Sequence, residues 1–199
     1  MTAKNPTPVD TKELTATRFN TKQFQLQRKN HFEIQFGKNS NGTSFIDSDL
    51  RFMLASFPLP KETTESSDIN YFNQTIKVAG KTTFDTSTMV LRDAIEYDTE
   101  LKFLNWRKQV YDPETGRMGL AADYKINAVV IEYTPNGEQY RKWELVGCWP
   151  SGIEYGELTY EDGGEKQLTV TIQYDYAYRK EVSDDNGQTT VTNTGLDNV

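Results

Sequence analysis

The sequence contains one cysteine, Cys148, and one histidine, His31. A lone cysteine forms no internal disulfide, and a single histidine leaves a zinc site almost without ligands. No apolar run approaches the ~20 residues of a membrane-spanning helix, so no membrane anchoring of the chain is expected. The opening stretch, MTAKNPTPVDTKELTATRFN, lacks the apolar segment of a secretory signal, and none is expected. Basic residues are in deficit: 22 Lys and Arg face 29 Asp and Glu, a net charge of −7. A groove that tracks phosphates shows a basic excess, so tight binding of DNA or RNA is not expected. Nearness to nucleic acid without adhesion stays open. Apolar residues make up 36% of the 199, below the usual ~45–50% that counts Gly.

Aromatic residues, in contrast, are plentiful. Eleven Tyr, 10 Phe and 3 Trp bring them to 12%, too many for wholesale disorder. The composition is that of one folded domain with a polar surface and a modest core. Such a chain is expected to complete its burial by assembly. Residues 1–29, rich in Thr, Lys, Asn and Gln, read as an N-terminal arm. Residues 30–179 read as the domain, and 180–199 as a polar C-terminal tail. No repeat of the solenoid kind is present.

Within the domain the dominant period is two. His31 to Phe36 alternates polar and apolar residues. From Gln167 to Tyr178, Leu168, Val170, Ile172, Tyr174, Tyr176 and Tyr178 share one predicted face, and Gln167, Thr169, Thr171, Gln173 and Asp175 the other. This pattern predicts a strand with one wet face. Tyr124–Tyr133 and Gln139–Trp149 flank Asn136-Gly137, a tight-hairpin signal. Further strands are expected over Arg51–Phe57, Phe72–Val78 and Thr86–Leu91. Lys61 to Asn70 reads as an exposed arm between strands.

One segment has a helical period, with Asp93 as N-cap and Glu96 as its capping-box partner. Ala94, Tyr97, Leu101 and Leu104 form one stripe; Ile95, Phe103, Trp106 and Val110 form an opposed one. Two stripes mean cover from two sides. The second cover is either another subunit or a loop or terminal arm of the same chain. The expected fold class is mainly β: an antiparallel β-sandwich or barrel-like domain with one helix.

Catalytic constellations are thin. Cys148 with His31 is the single nucleophile–base pair available, and free cysteine is more often core. Asp47, Asp49, Glu161 and Asp162 sit in polar, loop-like contexts without the spacing of a calcium loop. The glycines form neither a dinucleotide fingerprint nor a P-loop. Tyr174, Tyr176 and Tyr178 could stack sugars or bases, although their spacing favours packing. No enzyme, cofactor or metal site is expected. A monomeric β-sandwich module that binds carbohydrate remains as an alternative class.

Motifs across most of the chain carry a resemblance. Gln74-Thr-Ile-Lys-Val-Ala-Gly-Lys-Thr-Thr-Phe-Asp85 resembles the strand and Val-Ala-Gly…Thr-Phe-Asp turn of contractile-tail tube proteins. The helix with Phe103-Leu-Asn-Trp106 follows in order. Val146-Gly-Cys-Trp-Pro150, Gly156-Glu-Leu158 and Asp175-Tyr176 are similar to that family's closing motifs. The match runs from about Asn30 to Tyr178.

The resemblance implies the inner tube of a contractile phage tail. Hexameric rings would stack into a conduit, with strands joining across subunits into a β-barrel. A sheath would lie outside, and a tape-measure protein and then double-stranded DNA inside without specific binding. A baseplate and a tail terminator would lie at the ends. The subunit would reside in the virion tail, and in the host cytoplasm before assembly. The tubes of type VI secretion and extracellular injection systems, or a baseplate or tail-completion protein, are related alternatives. On this reading Lys61, Glu62, Glu65, Asp68, Phe103 and Trp106 are expected at subunit contacts. Thr169, Thr171, Gln173 and Asp175 are expected to face an acidic lumen.

Overall fold

The computed structural model describes residues 26–161 and 163–180. The expected arm up to residue 25 and the tail beyond Lys180 lie outside the described residues. In chain order the elements are β1 (Phe32–Phe36), α1 (Leu50–Met53), β2 (Leu54–Ser56), β3 (Glu62–Tyr71) and β4 (Gln74–Phe84). They continue with β5 (Ser87–Arg92), α2 (Thr99–Val110), β6 (Tyr111–Asp112), β7 (Arg117–Met118) and α3 (Ala121–Tyr124). The last four are β8 (Ile126–Tyr133), β9 (Gln139–Glu154), β10 (Gln167–Gln173) and β11 (Tyr176–Lys180).

Every strand pairing is antiparallel. Seven strands form one bent sheet in the order β1-β8-β9-β10-β5-β2, with β11 also on β9. The bend makes two layers. One holds β1, β8, the first half of β9 and β11; the other holds the second half of β9, β10, β5 and β2. Alternating Ile, Val, Leu and Ala residues from both layers share a core with Phe103 and Trp106 of α2. The sheets do not close on themselves, so the class is an open sandwich, with two short helices beside the expected one.

The bend explains where the period of two fails. Along β9 the inward positions change from Trp143 and Leu145 to Cys148 and Pro150. Gly147 stands at the change with φ +70. Opposite it, the inward set Leu168, Val170, Ile172 and Tyr174 gives way to Ala177. The expected single strand from Gln167 to Tyr178 is therefore two, and Tyr176 and Tyr178 face outward. Strands that pass between layers need such a corner. Asp175 holds it: its amide donates to Val146 O at 2.9 Å, and Lys125 Nζ reaches its carboxylate at 2.6 Å. A Cβ on Gly147 would lie 2.3 Å from Asp175 Oδ2. Gly147→Ala is expected to cost on the order of 2–3 kcal/mol through left-handed strain and this contact. Urea unfolding of the unassembled chain measures it.

The helix begins later than its expected cap. Asp98, with φ 47, is the N-cap and accepts from Leu101 N at 3.1 Å. Asp93 instead pairs with Lys166 at 3.2 Å, and Lys166 also reaches Glu100. Ile95 lies before the helix and is exposed. The buried set, Thr99, Phe103, Trp106 and Val110, is a single stripe, which the sheet covers from one side. Two other expectations also shift. The first turn of the expected strand Arg51–Phe57 is α1, leaving only Leu54–Ser56 extended. Phe72 is in the β3–β4 turn with φ 51, and the stretch through Val78-Ala79-Gly80 is continuous strand, not turn.

Candidate assembly surfaces

β3 and β4 form a two-stranded ribbon whose residues, apart from Phe84, are all exposed. At about 3.3 Å per residue, its ten-residue arm reaches roughly 30 Å. The expected arm over Lys61–Asn70 is thus one strand of a hairpin. A bulge sets Gly80 and Lys81 against Glu65 alone, because Thr64 pairs with Thr82 and Ser66 with Ala79. Beyond the bulge the two faces differ. Ile69, Tyr71, Ile76 and Val78 share one face, and Asp68, Asn70, Thr75 and Lys77 the other. Phe72 at the tip is 90% exposed and meets the Tyr71 ring edge-on at 4.8 Å.

The charges expected at contacts are placed along this hairpin. Lys61 pairs with Asp85 at 2.7 Å at its base, and that hydrogen bond and charge raise the Lys61 pKa. Glu62 stands opposite Phe84 and Glu65 at the bulge. Asp68 is paired with Lys77 at 3.0 Å. The apolar residues of the ribbon, from Ile69 to Val78, were not singled out in the sequence. Their signal is the alternation in Thr75-Ile76-Lys77-Val78. An isolated hairpin is marginal in water, and exposed apolar strands invite pairing with other chains.

Phe103 and Trp106 are elsewhere. Both are fully buried within the protomer. Trp106 lies against Phe36 at 5.4 Å, Phe45 at 5.9 Å and Phe103 at 6.1 Å, and its Nε1 donates to Tyr124 O at 2.8 Å. They leave no surface for a neighbour to cover. The physical reason is that β9 and the loop carrying Phe45 already supply their partners.

Within the seven-stranded sheet, four edges are paired on one side: β1, β2, β11 and the second half of β9. The outward face of β10 holds Thr169, Thr171 and Gln173, with Asp175 past the corner. On β5, Val90 and Thr88 lie across from Thr169 and Thr171, with Arg92 beyond them opposite Gln167; on β9, Glu154, Gly152 and Trp149 lie across from Thr169, Thr171 and Gln173. Arg92 is paired with Glu165 at 3.0 Å, and Asp175 with Lys125 at 2.6 Å. The face presents hydroxyls and amides, with Glu154 and Asp175 at its two ends.

The residues considered for chemistry do not converge. Cys148 is in the core, and His31 is beside the far end of β8 from the Cys148 partner Ile126. By strand rise that is about 20 Å. Burial pushes the Cys148 thiol up to about 12. It is expected to resist alkylation at about pH 8 in the native chain and to react once urea exposes it, as a mass shift would report. Among the described residues no group of three or more His, Cys, Asp or Glu is placed to hold a metal. Tyr174 is core, as its spacing implied, while Tyr176 and Tyr178 stack outward at 6.2 Å.

The hairpin with its exposed apolar face and the one-sided sheet edges are surfaces of the kind that pair with other chains. The chain belongs to the T4-like virus tail tube protein gp19 family, whose model matches residues 28–178, and so is a structural tail tube protein of the contractile-phage kind. It is 27% identical over 154 residues to tail tube protein gp19 of Enterobacteria phage T4, which spans 75% of this chain and 89% of that one. The fold is similar to a chain of the anti-feeding prophage tube-terminating cap, with a TM-score of 0.63 at 9% identity over 79% of this chain and 93% of that one. It is also similar to a chain of the sheath–tube complex of an extracellular contractile injection system, with a TM-score of 0.59 at 12% identity over 84% and 99%.

Proposed function

We propose that this chain closes into hexameric rings that stack into the inner tube of a contractile tail and form the conduit for genome delivery. The observation that carries the reading is the set of one-sided strand edges in a chain whose family builds tubes. Pairing those edges between copies would remove them from solvent. Side-by-side contacts that close and axial contacts that repeat would make a tube. The hairpin, with Lys61, Glu62, Glu65 and Asp68 along it, would contact a neighbouring subunit or ring. Phe103 and Trp106 would support that contact only from within.

The outward face of β10, with Thr169, Thr171, Gln173 and Asp175, would line the bore. Its hydroxyls and amides, with the nearby cations Arg92 and Lys125 already paired to acids, would give phosphate little to bind, because affinity for DNA grows with the number of cations that neutralise it. A tape-measure protein and then double-stranded DNA would pass inside without specific binding. A sheath would surround the tube, and a baseplate and terminator would cap its ends. The subunit would wait in the host cytoplasm and end in the virion tail. Among the described residues no helix is long and apolar enough to cross a membrane.

Negative-stain electron microscopy of the purified chain at high concentration tests the reading. Rings or tubes are expected. Uniform particles of 22.8 kDa would overturn it and favour a monomeric module that binds sugars through Tyr176 and Tyr178. The likeness to the injection-system tube complex favours, as a second reading, the same architecture in an injection device. Capsid genes beside this one would assign it to a phage.

A further inference from the structure

We propose that the cavity between β1 and β2 is the seat for the hairpin tip of a second copy, with Tyr71 and Phe72 as its anchor and Glu132 as the acceptor. This rests on the tube reading and assigns the hairpin a receiving site. The cavity has a volume of about 450 Å³; Phe32, Ala55, Phe57 and Val130 give it an apolar wall, and Glu132 shares the rest of the lining with Arg28 and Lys29. It opens where the two layers part, between an edge strand of each.

Glu132 is the anomaly that points to an occupant. Ile126, Ala128 and Val130 fill the inward positions of β8, and the next one holds a carboxylate. Glu132 is 8% exposed. Its Oε2 lies 3.9 Å from Arg141 Nη1 across the strand pair, beyond hydrogen-bond reach, while its Oε1 and the facing Arg141 Nε both have no hydrogen-bond partner. His31 Nδ1, beside it in the lining, is also buried without a partner. A buried carboxylate oxygen without a donor is costly, and buried polar groups are paired as a rule. A donor carried in on an apolar group would satisfy both features of the cavity.

The hairpin tip is such a group. Tyr71 and Phe72 present two rings in contact, one with a hydroxyl, at the end of an arm that its own protomer leaves uncovered. The same chain twice pairs a tyrosine hydroxyl with a glutamate: Tyr133 with Glu33 at 2.9 Å, and Tyr178 with Glu144. Each copy has one tip and one cavity, at different places on its surface. Such a contact is heterologous, so it either closes into a ring or repeats along an axis, and a stack of rings uses the second.

The test uses the full chain. Asn73→Cys with Ala55→Cys places one thiol on the tip beside the two rings and one in the cavity wall, and the native Cys148 is buried. Oxidised tubes of the double variant are expected to give a ladder of linked chains on a non-reducing gel, with neither single variant doing so. Tubes that assemble without a ladder overturn the seat and leave the tube reading intact. A wild-type chain that forms no tubes fails the tube reading itself.

Ala55→Cys alone covers the case in which the double variant does not assemble. A maleimide is expected to label it in the unassembled chain and at least about tenfold more slowly in tubes. Equal labelling in both states, or protection already in the lone chain by its own N-terminal residues, overturns the proposal. Glu132→Leu removes both acceptor oxygens and is expected to raise the concentration needed for assembly about tenfold, whereas Glu132→Gln keeps an acceptor oxygen and is expected to assemble near the wild-type concentration. A purely structural Glu132 would not be rescued by Gln in this way, and unchanged assembly of Glu132→Leu would refute its role as acceptor.

Discussion

Trp106→Ala is expected to destabilise the lone protomer by about 3–5 kcal/mol, the usual cost of deleting a buried indole. The side chain is fully buried, and no part of that burial comes from a neighbour. Three aromatic rings, Phe36, Phe45 and Phe103, would lose their partner and line a cavity. The carbonyl of Tyr124 would lose the indole donor that fixes α3 to α2. In a domain of this size such a loss lowers the melting temperature by roughly 10 °C. Thermal unfolding of unassembled chain measures it. If the indole were instead a subunit contact, lone chains would melt as wild type and the loss would appear only in the assembled form.

Phe72→Asp combined with Ile76→Asp is expected to do the reverse. Both side chains are exposed in the protomer, so the lone chain should keep its stability within about 0.5 kcal/mol. Assembly should be abolished. A carboxylate taken out of water without a partner costs several kcal/mol, and every copy in a tube would bear that cost. Sedimentation and electron microscopy read the outcome. Normal tubes from the double variant would show that the apolar ribbon face is not a contact. The two variants together separate what folds the subunit from what joins subunits.

Much of this was legible in the residues. The alternation in Phe32–Phe36 and Leu168–Tyr174 specified strands and their inward faces, because a half-buried strand repeats every two residues. Asn136-Gly137 marked the β8–β9 turn, and Gly137 has φ +85 there. The core placement of Cys148 followed from its residue type. The legibility stopped wherever a residue's role depends on a distant partner. Asp93 and Asp98 are both good caps, and what separates them is Lys166, which lies far along the chain and engages Asp93. Tyr176 and Tyr178 continue an unbroken pattern, yet Gly147 turns the neighbouring strand and the pattern inverts with it.

Phe103 and Trp106 show the same limit from the other side. Their spacing identified a stripe that must be covered, and periodicity is blind to which chain covers it. The apolar ribbon was missed because its residues are interleaved with Thr, Lys, Asp and Asn, so no short window is hydrophobic.

The sequence by itself determined a mainly antiparallel β chain, poor in reactive constellations, with the ordered motifs of a tube subunit. These are properties of local period, composition and motif order. The tertiary structure alone decided that the layers stay open, that the aromatic stripe is satisfied at home, and that the hairpin stands away from the body with its apolar face bare. Those follow from long-range pairing, in which a corner such as Gly147 opposite Asp175 sets the direction of every strand beyond it.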